Sequence, residues 1–240
     1  MQSNSQQTLQ VSIDALKQAA GFRAADCITD GMVVGLGSGS TARHATLRVA
    51  ARLSEGSLAD IVAIPTSDET ERLARERGIP LTTLDDHPRI DITIDGADEV
   101  DPELDIIKGL GGFLVREKIV AYATEHEIIV VDHSKRVNLL GTRSPVPVEV
   151  VRFGWRNTMA ALERTGAHIQ MRMAGNAPYI TDEGNYILDC RYPDGIEAPA
   201  DLNATLNTIP GVVDNGLFLG VAKTVIIASP DGIEIVKRRP

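Results

Sequence analysis

A run of acidic residues follows an apolar segment in the first half of the chain. The segment "IDITID" (90–95) has the composition of a buried strand, and it leads directly into a cluster of carboxylates. The cluster comprises Asp95, Asp98, Glu99 and Asp101. Three explanations are open: a metal site, a solvated turn, or a site that handles protons and sugar hydroxyls. A magnesium site built from Asp95, Asp98 and Asp101 is possible, although the spacing lacks the alternation of an EF-hand loop. Glu99, Asp101 and Glu103 are expected to be solvated, with Asp101-Pro102 forming a turn.

The segment "KGLGGFLVREK" (108–118) combines a cation with exposed backbone. Lys108 is followed by three glycines, which are Gly109, Gly111 and Gly112. An ammonium group and bare backbone N–H groups in one loop can stabilise an oxyanion. Glu117 lies on the helix predicted next. It is either a base that faces a cleft or an ordinary surface acid.

A third segment, "GLGSGSTA" (35–42), lies between a predicted strand and a predicted helix. Backbone N–H groups at a helix start, together with the helix dipole, favour an anion such as phosphate. The structural alternative is a tight turn capped by Ser40 or Thr41. A dinucleotide-binding loop is a further alternative, but it requires an acid at the tip of the next strand. That tip is "PTS" (65–67), so a small phosphate ester is the favoured ligand.

These segments are positioned by strands and helices that alternate in the first part of the chain. Such alternation predicts a parallel sheet covered on both faces. After Ser144 the order becomes βαββαβ, which is typical of a ferredoxin-like domain. We therefore predict an α/β fold: a doubly wound, mostly parallel sheet with an inserted smaller α+β ferredoxin-like domain. The expected division is an α/β catalytic domain, 10–143 plus 222–240, and a ferredoxin-like domain, 144–221.

Several local features follow from the same patterns. Ser12 is the expected N-cap of the first helix, and Thr66 with Glu69 forms an expected capping box. The segments "IPLTTL" (79–84) and "DIIK" (105–108) are expected to be strands, and "VVDNGLFL" (212–219) is the expected last strand of the ferredoxin-like domain. Because parallel strands end at one edge of a sheet, the loops after "MVVGL", "DITI", "DII" and "EIIVV" should meet there.

The combined residue types suit proton transfer next to a carbonyl, as in aldose–ketose isomerisation. A carboxylate removes the proton, a developing enediolate needs positive charge, and the phosphate anchors a flexible sugar. A non-catalytic sugar-phosphate sensor is an alternative, but it could dispense with Glu117 or Lys108. A metal-dependent phosphatase with Asp95 as nucleophile would leave the lysine–glycine loop unexplained.

Composition limits the partners. The chain has 240 residues, 43% of them hydrophobic, and a formal net charge of −9, which argues against binding to nucleic acid or a membrane surface. Cys27 and Cys190 have no metal-type spacing and are expected to stay thiols in a reducing cytoplasm. The N-terminal segment (1–10) has no signal-peptide pattern and is an expected frayed tail.

From about Asp14 to Lys237 the sequence resembles the ribose-5-phosphate isomerase A family. The motifs that carry the resemblance are "GLGSGSTA", "IPTS", "DGADEVD", "KGLGGFLVREK", "VDHSK" and "IPGVVDNGLF". The resemblance implies interconversion of ribose 5-phosphate and ribulose 5-phosphate in the non-oxidative pentose phosphate pathway. It implies no metal and no other cofactor, a small-molecule sugar phosphate as partner, and a cytoplasmic homodimer.

The resemblance also implies roles for individual residues. Glu117 takes the place of the proton acceptor, and the other implied catalytic residues are Asp95, Asp98 and Lys108. The implied substrate-binding residues are Ser38, Gly39, Ser40, Thr41, Asp95, Gly96, Ala97, Asp98, Lys108, Gly109, Gly111, Gly112, Lys135 and Lys17. Ser38 stands where threonine is common in the family, and Leu110 stands where glycine is common.

Overall fold

The computed structural model describes residues 12–239. The expected N-terminal tail and the predicted domain ends at residues 10 and 240 lie outside this range. The helices are α1 (Ile13–Ala25), α2 (Ser40–Ser54), α3 (Asp68–Glu76), α4 (Leu114–Tyr122), α5 (Trp155–Glu163) and α6 (Pro199–Asn207). The strands are β1 (Val33–Leu36), β2 (Val62–Pro65), β3 (Ile90–Gly96), β4 (Glu99–Val100), β5 (Ile106–Ile107), β6 (Thr124–Asp132), β7 (Val146–Val150), β8 (His168–Met171), β9 (Met173–Ala174), β10 (Ala177–Pro178), β11 (Tyr186–Arg191), β12 (Val212–Asn215), β13 (Leu217–Phe218), β14 (Ala222–Ser229) and β15 (Gly232–Lys237).

The central sheet has six strands in the order β15-β14-β6-β3-β1-β2. Every neighbouring pair is parallel except β14 and β15, which form an antiparallel pair at one edge. This arrangement confirms the predicted α/β fold with a mostly parallel sheet. Between β1 and β3 the strand order changes direction, and open α/β sheets bind ligands at such a switch point.

Helices cover both faces of the central sheet. Successive side chains of a strand point to opposite faces, so Ile128 and Val130 of β6 pack with α1 and α2. The alternate residues Ile129 and Val131 pack with α4 instead. Because Asp95 of β3 is paired with Ile129 in register, its side chain lies on the α4 face as well.

A second sheet has four strands in the order β12-β7-β11-β8, and all its neighbours are antiparallel. With α5 and α6 it forms the βαββαβ arrangement of a ferredoxin-like unit, as predicted. The short hairpin β9-β10, inserted between β8 and β11, was not predicted. The division into domains 10–143 plus 222–240 and 144–221 stays a prediction.

Two segments were expected to be strands of the central sheet, and both predictions were wrong. In "IPLTTL" only Leu81 forms an isolated bridge, with Ala63, because Thr83 and Asp86 then bond to each other in a turn. The segment "DIIK" does contain β5, but β5 belongs to a separate antiparallel sheet with the order β13-β5-β4. The expected last strand "VVDNGLFL" therefore splits at Gly216 into β12 and β13.

The helix caps agree with the sequence in one case and differ in another. Ser12 accepts a hydrogen bond from the Ala15 N–H and caps α1, as predicted. The expected capping box of Thr66 and Glu69 was wrong, because Ser67 is the N-cap of α3. The Thr66 hydroxyl instead donates to the Leu36 carbonyl at 3.0 Å, which ties β1 to the start of α3.

Two global properties can be stated for the described part of the chain. Between residues 12 and 239, no helix combines the length and the apolar character needed to cross a membrane. Cys27 is exposed, Cys190 is buried, and both are free cysteines.

Candidate active site

A cleft lies at the carboxyl ends of β1, β3 and β6. The residues that line it are Lys17, Ser38, Gly39, Ser40, Thr41, Gly96, Ala97, Asp98, Lys108, Gly109, Gly111, Phe113, Glu117 and Lys135. All the site residues named from the sequence are in this set except Asp95 and Gly112, which are buried beneath and beside the cleft. Phe113 is the one lining residue that sequence reasoning missed. The lysine–glycine loop enters from β5, and therefore from a different sheet than was expected.

The start of α2 forms one end of the cleft. Gly39 is the N-cap residue with a φ of 88°, and no side chain caps the helix. The first N–H groups of α2 are therefore available to an anion, and the helix dipole favours one there. Lys17 of α1 donates from Nζ to the Ser40 hydroxyl at 2.9 Å, which adds positive charge at this helix start.

Ser38 is turned away from this helix start. Its hydroxyl forms hydrogen bonds with Thr66 at 2.8 Å, Ser67 at 2.7 Å and Thr70 at 3.1 Å. Its backbone N–H donates to Asp95 Oδ1 at 3.1 Å. Ser38 therefore connects the loop between β1 and α2 to the strand β3. Its contact with substrate stays a prediction.

Lys108 forms the centre of a buried charged cluster. Its Nζ lies 3.0 Å from Asp95 Oδ2 and 3.3 Å from Glu117 Oε1. It also donates to the Gly96 carbonyl at 2.7 Å. The three charged side chains are between 1% and 6% exposed, so each depends on the others for compensation of its lost hydration.

Gly37 allows this cluster to form. A Cβ on Gly37 would lie 2.4 Å from the Asp95 carboxyl carbon, so only glycine lets the loop pass beside that side chain. Asp95 Oδ1 then accepts from the backbone N–H groups of Ser38 and Gly96. Both oxygens of Asp95 are thus engaged, and the carboxyl is held rigidly behind Lys108.

Burial changes the proton affinities of this cluster. Burial raises the pKa of Glu117 to about 8. The attraction of Lys108 opposes this shift, and smaller repulsion from Asp95 and Asp98 adds to it. For Lys108 burial acts in the opposite direction, but Asp95 and Glu117 outweigh it and its pKa is raised. Burial also raises the pKa of Asp95, against the same lysine. Glu117 is therefore a base whose proton affinity lies near neutral pH.

The second oxygen of Glu117 has no fixed partner. Oε2 is buried and has no hydrogen-bond partner among residues 12–239. Glu117 lines the cleft, so this oxygen is the one able to accept a proton from a bound molecule. A positioned carboxylate of this kind can act as a general base.

A further buried carboxyl, Glu127 of β6, was missed by sequence reasoning. Its position at the beginning of "EIIVVD" suggested only a strand start. It is 1% exposed and is paired in register with Thr93, on the same face as Asp95. Burial, with added repulsion from Asp95, raises its pKa well above the ordinary value. Burial therefore favours the protonated form of Glu127.

The lysine–glycine loop depends on backbone conformations that favour glycine. Gly109 has a φ of 100° and Gly112 a φ of 95°, and the Gly112 N–H donates to the Gly109 carbonyl at 3.0 Å. The Leu110 N–H donates to Asp98 Oδ2 at 3.0 Å. The side chain at position 110 does not disturb the turn because Leu110 is exposed.

Lys135 approaches the cleft from the end of β6. Asp132 accepts hydrogen bonds from the Ser134 N–H and hydroxyl, and this short turn carries Lys135 to the cleft. Burial opposes ionisation of Asp132, but Ser134, Lys135 and Lys17 outweigh it and its pKa is lowered. Two lysines from different elements thus lie around the start of α2.

The acids beyond Asp98 behave differently from the sequence expectation. Glu99 was expected to be solvated, and this was wrong: it is fully buried and accepts from the N–H groups of Gly141, Arg143 and Ser144. Asp101 forms the expected turn by accepting from the Glu103 and Asp105 N–H groups. In the described part of the chain, no three His, Cys, Asp or Glu side chains are grouped as metal ligands.

Comparison with known proteins identifies the family. Residues 62–232 match the family model described as ribose 5-phosphate isomerase A (phosphoriboisomerase A). The chain is 52% identical over 227 residues to a ribose-5-phosphate isomerase A of Gloeobacter violaceus, covering 94% of this chain and 97% of that protein.

Solved structures agree in fold over nearly the whole chain. A D-ribose-5-phosphate isomerase in complex with phospho-erythronic acid superposes with a TM-score of 0.92 at 39% identity. A ribose 5-phosphate isomerase from Plasmodium falciparum has the same TM-score at 38% identity. Each comparison covers 95% of this chain and 100% of the other. The chain therefore belongs to the ribose 5-phosphate isomerase A family.

Proposed function

We propose that this protein is an aldose–ketose isomerase that interconverts D-ribose 5-phosphate and D-ribulose 5-phosphate. The observation that carries the proposal is the contact between Glu117 and Lys108 in a cleft that also contains the start of α2. This arrangement provides a base, a cation and an anion-binding helix end within one site. Membership of the isomerase family supports the same reaction.

The phosphate group is bound at the start of α2. Ser40 and Thr41 supply hydroxyls and backbone N–H groups there, and Lys17 and Lys135 supply positive charge. Holding the phosphate places the far end of the open-chain sugar beside Glu117. Binding energy from the phosphate thereby orients the reacting carbons.

The chemical step moves a proton between adjacent carbons. Glu117 takes the proton from C2 of the open-chain aldose, and the electron pair of that C–H bond forms the C1–C2 double bond. The former carbonyl oxygen becomes an enediolate oxygen, and Glu117 returns the proton to C1. The hydroxyl proton moves from O2 to O1, which leaves the ketose carbonyl at C2. Asp98, which lines the cleft, holds sugar hydroxyls during this exchange, while Asp95 fixes Lys108 from behind.

Positive charge for the enediolate comes from the protein itself. The Lys108 ammonium lies 3.3 Å from the base, and its raised pKa keeps it charged. The N–H groups of Gly109 and Gly111 have no acceptor among residues 12–239, whereas those of Leu110 and Gly112 are engaged. These donors can bind an oxyanion without a metal ion.

The biological setting is proposed on the family resemblance. The reaction belongs to the non-oxidative pentose phosphate pathway, the enzyme is cytoplasmic, and two copies form a homodimer. Sedimentation of the purified protein tests the last point, since a monomer at micromolar concentration would contradict it.

The activity is tested by following ribose 5-phosphate with the purified protein in ordinary and deuterated water. We expect formation of the ketose and incorporation of solvent deuterium at the exchanging carbon. Glu117→Gln should lower turnover by roughly 10²–10⁴-fold while substrate binding survives. Glu163→Gln, an exposed acid at the end of α5, is the matched control.

Different outcomes separate the alternatives. A protein that binds ribose 5-phosphate but neither converts it nor exchanges deuterium would be the sugar-phosphate sensor. A Glu117→Gln variant that isomerises and exchanges at the wild-type rate would place the base elsewhere, at Asp95 or Asp98.

A further inference from the structure

Arg172, between β8 and β9, connects the ferredoxin-like unit to the lysine–glycine loop. One guanidinium nitrogen donates to the Gly109 carbonyl at 2.7 Å and to the Leu110 carbonyl at 2.9 Å. The other two nitrogens bind Asp189 of β11, with Nε 3.0 Å from Oδ2. The two side chains are 12% and 19% exposed, so the contact is largely shielded from water.

These contacts determine the direction of two N–H groups in the loop. A trans peptide is planar, and its C=O and the following N–H point in opposite directions. Holding the Gly109 carbonyl towards Arg172 directs the Leu110 N–H away from it, and this N–H donates to Asp98. Holding the Leu110 carbonyl in the same way directs the Gly111 N–H away from Arg172, and Gly111 is one of the residues that line the cleft.

The guanidinium also changes the strength of these donors. A cation at a carbonyl oxygen polarises the peptide group, and hydrogen bonds in such a chain strengthen one another. The Leu110 and Gly111 N–H groups are therefore better donors than those of an uncharged loop. Charge-assisted hydrogen bonds are roughly twice as strong as neutral ones, so the guanidinium holds the two carbonyl groups more firmly than an uncharged donor would.

We propose that Arg172 is a positioning residue that fixes and polarises two peptides of the loop, so that the Gly109–Leu110 peptide holds Asp98 and the Leu110–Gly111 peptide presents the Gly111 N–H to the developing enediolate. It acts through the loop and does not contact the substrate. The proposal rests on the isomerase function above. It also explains why the ferredoxin-like unit matters to a site formed mainly at the edge of the central sheet: that unit supplies both Arg172 and Asp189.

Arginine is required at this position for a geometric reason. The planar guanidinium binds the Asp189 carboxylate with two nitrogens and still presents the third to both carbonyls. A lysine ammonium is a point charge that cannot hold this fork. Arg172→Lys keeps the charge and loses the geometry, while Arg172→Gln loses both.

The experiment compares steady-state kinetics of Arg172→Lys, Arg172→Gln and Asp189→Asn with the wild type. Loss of one oxyanion donor costs about 10²–10³ in kcat, so we expect a fall in kcat of about 10–100-fold for a misaligned donor. The KM should change by less than about threefold, because the phosphate end is untouched. Arg172→Lys should retain more kcat than Arg172→Gln. Arg164→Gln, an exposed arginine after α5, is the control.

Inhibitor binding provides a readout that a purely structural role would not change. Phospho-erythronic acid carries a carboxylate as well as a phosphate, so it can probe oxyanion donors as well as the start of α2, whereas inorganic phosphate tests only the start of α2. In Arg172→Gln the inhibition constant of phospho-erythronic acid should rise about 10-fold or more, and that of phosphate should stay constant. The dependence of kcat/KM on pH should stay that of the wild type, since the base Glu117 is unchanged.

Several results would overturn the proposal. One is a kcat within twofold of the wild type in Arg172→Gln. Another is equal weakening of phospho-erythronic acid and phosphate, which would indicate general distortion of the cleft. If Arg172→Gln fails to fold, Arg172→Lys and Asp189→Asn give the same comparison. A wild type without isomerase activity would contradict the proposed function, and the inhibitor ratio would then still test the role of Arg172.

Discussion

The raised proton affinity of Glu117 makes a quantitative prediction about pH. Because burial raises the pKa of Glu117 to about 8, only about a tenth of this carboxyl is ionised at pH 7 and about nine tenths at pH 9. A base must be deprotonated to act, so kcat/KM should rise about tenfold between these values. A carboxyl with an ordinary pKa is fully ionised throughout and would give a flat profile.

The variant that tests the cause is Asp98→Asn. Asp98 contributes repulsion that raises the pKa of Glu117, so its removal should move the rise in kcat/KM to lower pH. The asparagine oxygen can still accept from the Leu110 N–H, which keeps the loop in place. Glu103→Gln, an exposed acid in the next turn, should leave the profile unchanged.

The assay is the initial rate of ketose formation at subsaturating ribose 5-phosphate, because kcat/KM reports the free enzyme. The second pKa of a phosphate ester is about 6, so the substrate is almost fully ionised above pH 7 and adds little to the slope. A flat kcat/KM from pH 7 to 9, with chemistry shown to limit the rate by a deuterium effect, would refute the assignment. So would a profile that Asp98→Asn moves to higher pH.

Three further predictions concern phosphate, metal and stability. Replacing Ser40 and Thr41 together by alanine should weaken substrate binding, at roughly 1.5–3 kcal/mol for each charged-group hydrogen bond, and abolish competition by inorganic phosphate in the inhibition assay. An unchanged KM would place the phosphate elsewhere. Exhaustive chelation should leave the rate intact, and a loss restored by magnesium would favour a metal site at Asp95 and Asp98. Glu99→Gln should lower the free energy of unfolding, measured by urea denaturation, by about 2–3 kcal/mol, because it weakens charge-assisted bonds to three backbone N–H groups. Glu103→Gln is the control, and an equal loss of stability in the two variants would contradict this reasoning.

Much of the site follows from local sequence patterns. The loops after β1, β3 and β6 were predicted to meet because parallel strands end at one edge of a sheet, and all three line the cleft. The glycines of these loops also follow from local geometry, such as the positive φ of Gly39 and Gly109. The pattern of apolar runs was enough to predict a mostly parallel central sheet and the βαββαβ order of the ferredoxin-like unit, but not the small sheet β13-β5-β4.

The remaining features depend on contacts between distant parts of the chain. An acid after a strand looks solvated in sequence, yet Glu99 is buried because the backbone 42 to 45 residues later turns its N–H groups towards it. The strand β5 is too short to reveal its partner, and β13 pairs with it from 110 positions away. Arg172 and Asp189 are ordinary charged residues of a small sheet until the fold brings them to the loop. No local pattern indicates such partners.

The buried charges around Lys108 explain why one carboxyl of the cluster can act as a base. One ammonium faces Asp95 and Glu117 directly, and Glu127 lies on the same face of the sheet behind them. Three ionised carboxylates near a single lysine would leave uncompensated charge in a buried region, which is unfavourable. Burial favours the uncharged form of Glu127, and Asp95 is fixed by two backbone N–H groups and Lys108. Glu117 alone combines a raised pKa with an oxygen that lacks a partner among the described residues and with access to the cleft. Burial of the cluster thus opposes folding, and the same burial brings the pKa of Glu117 close to neutral pH.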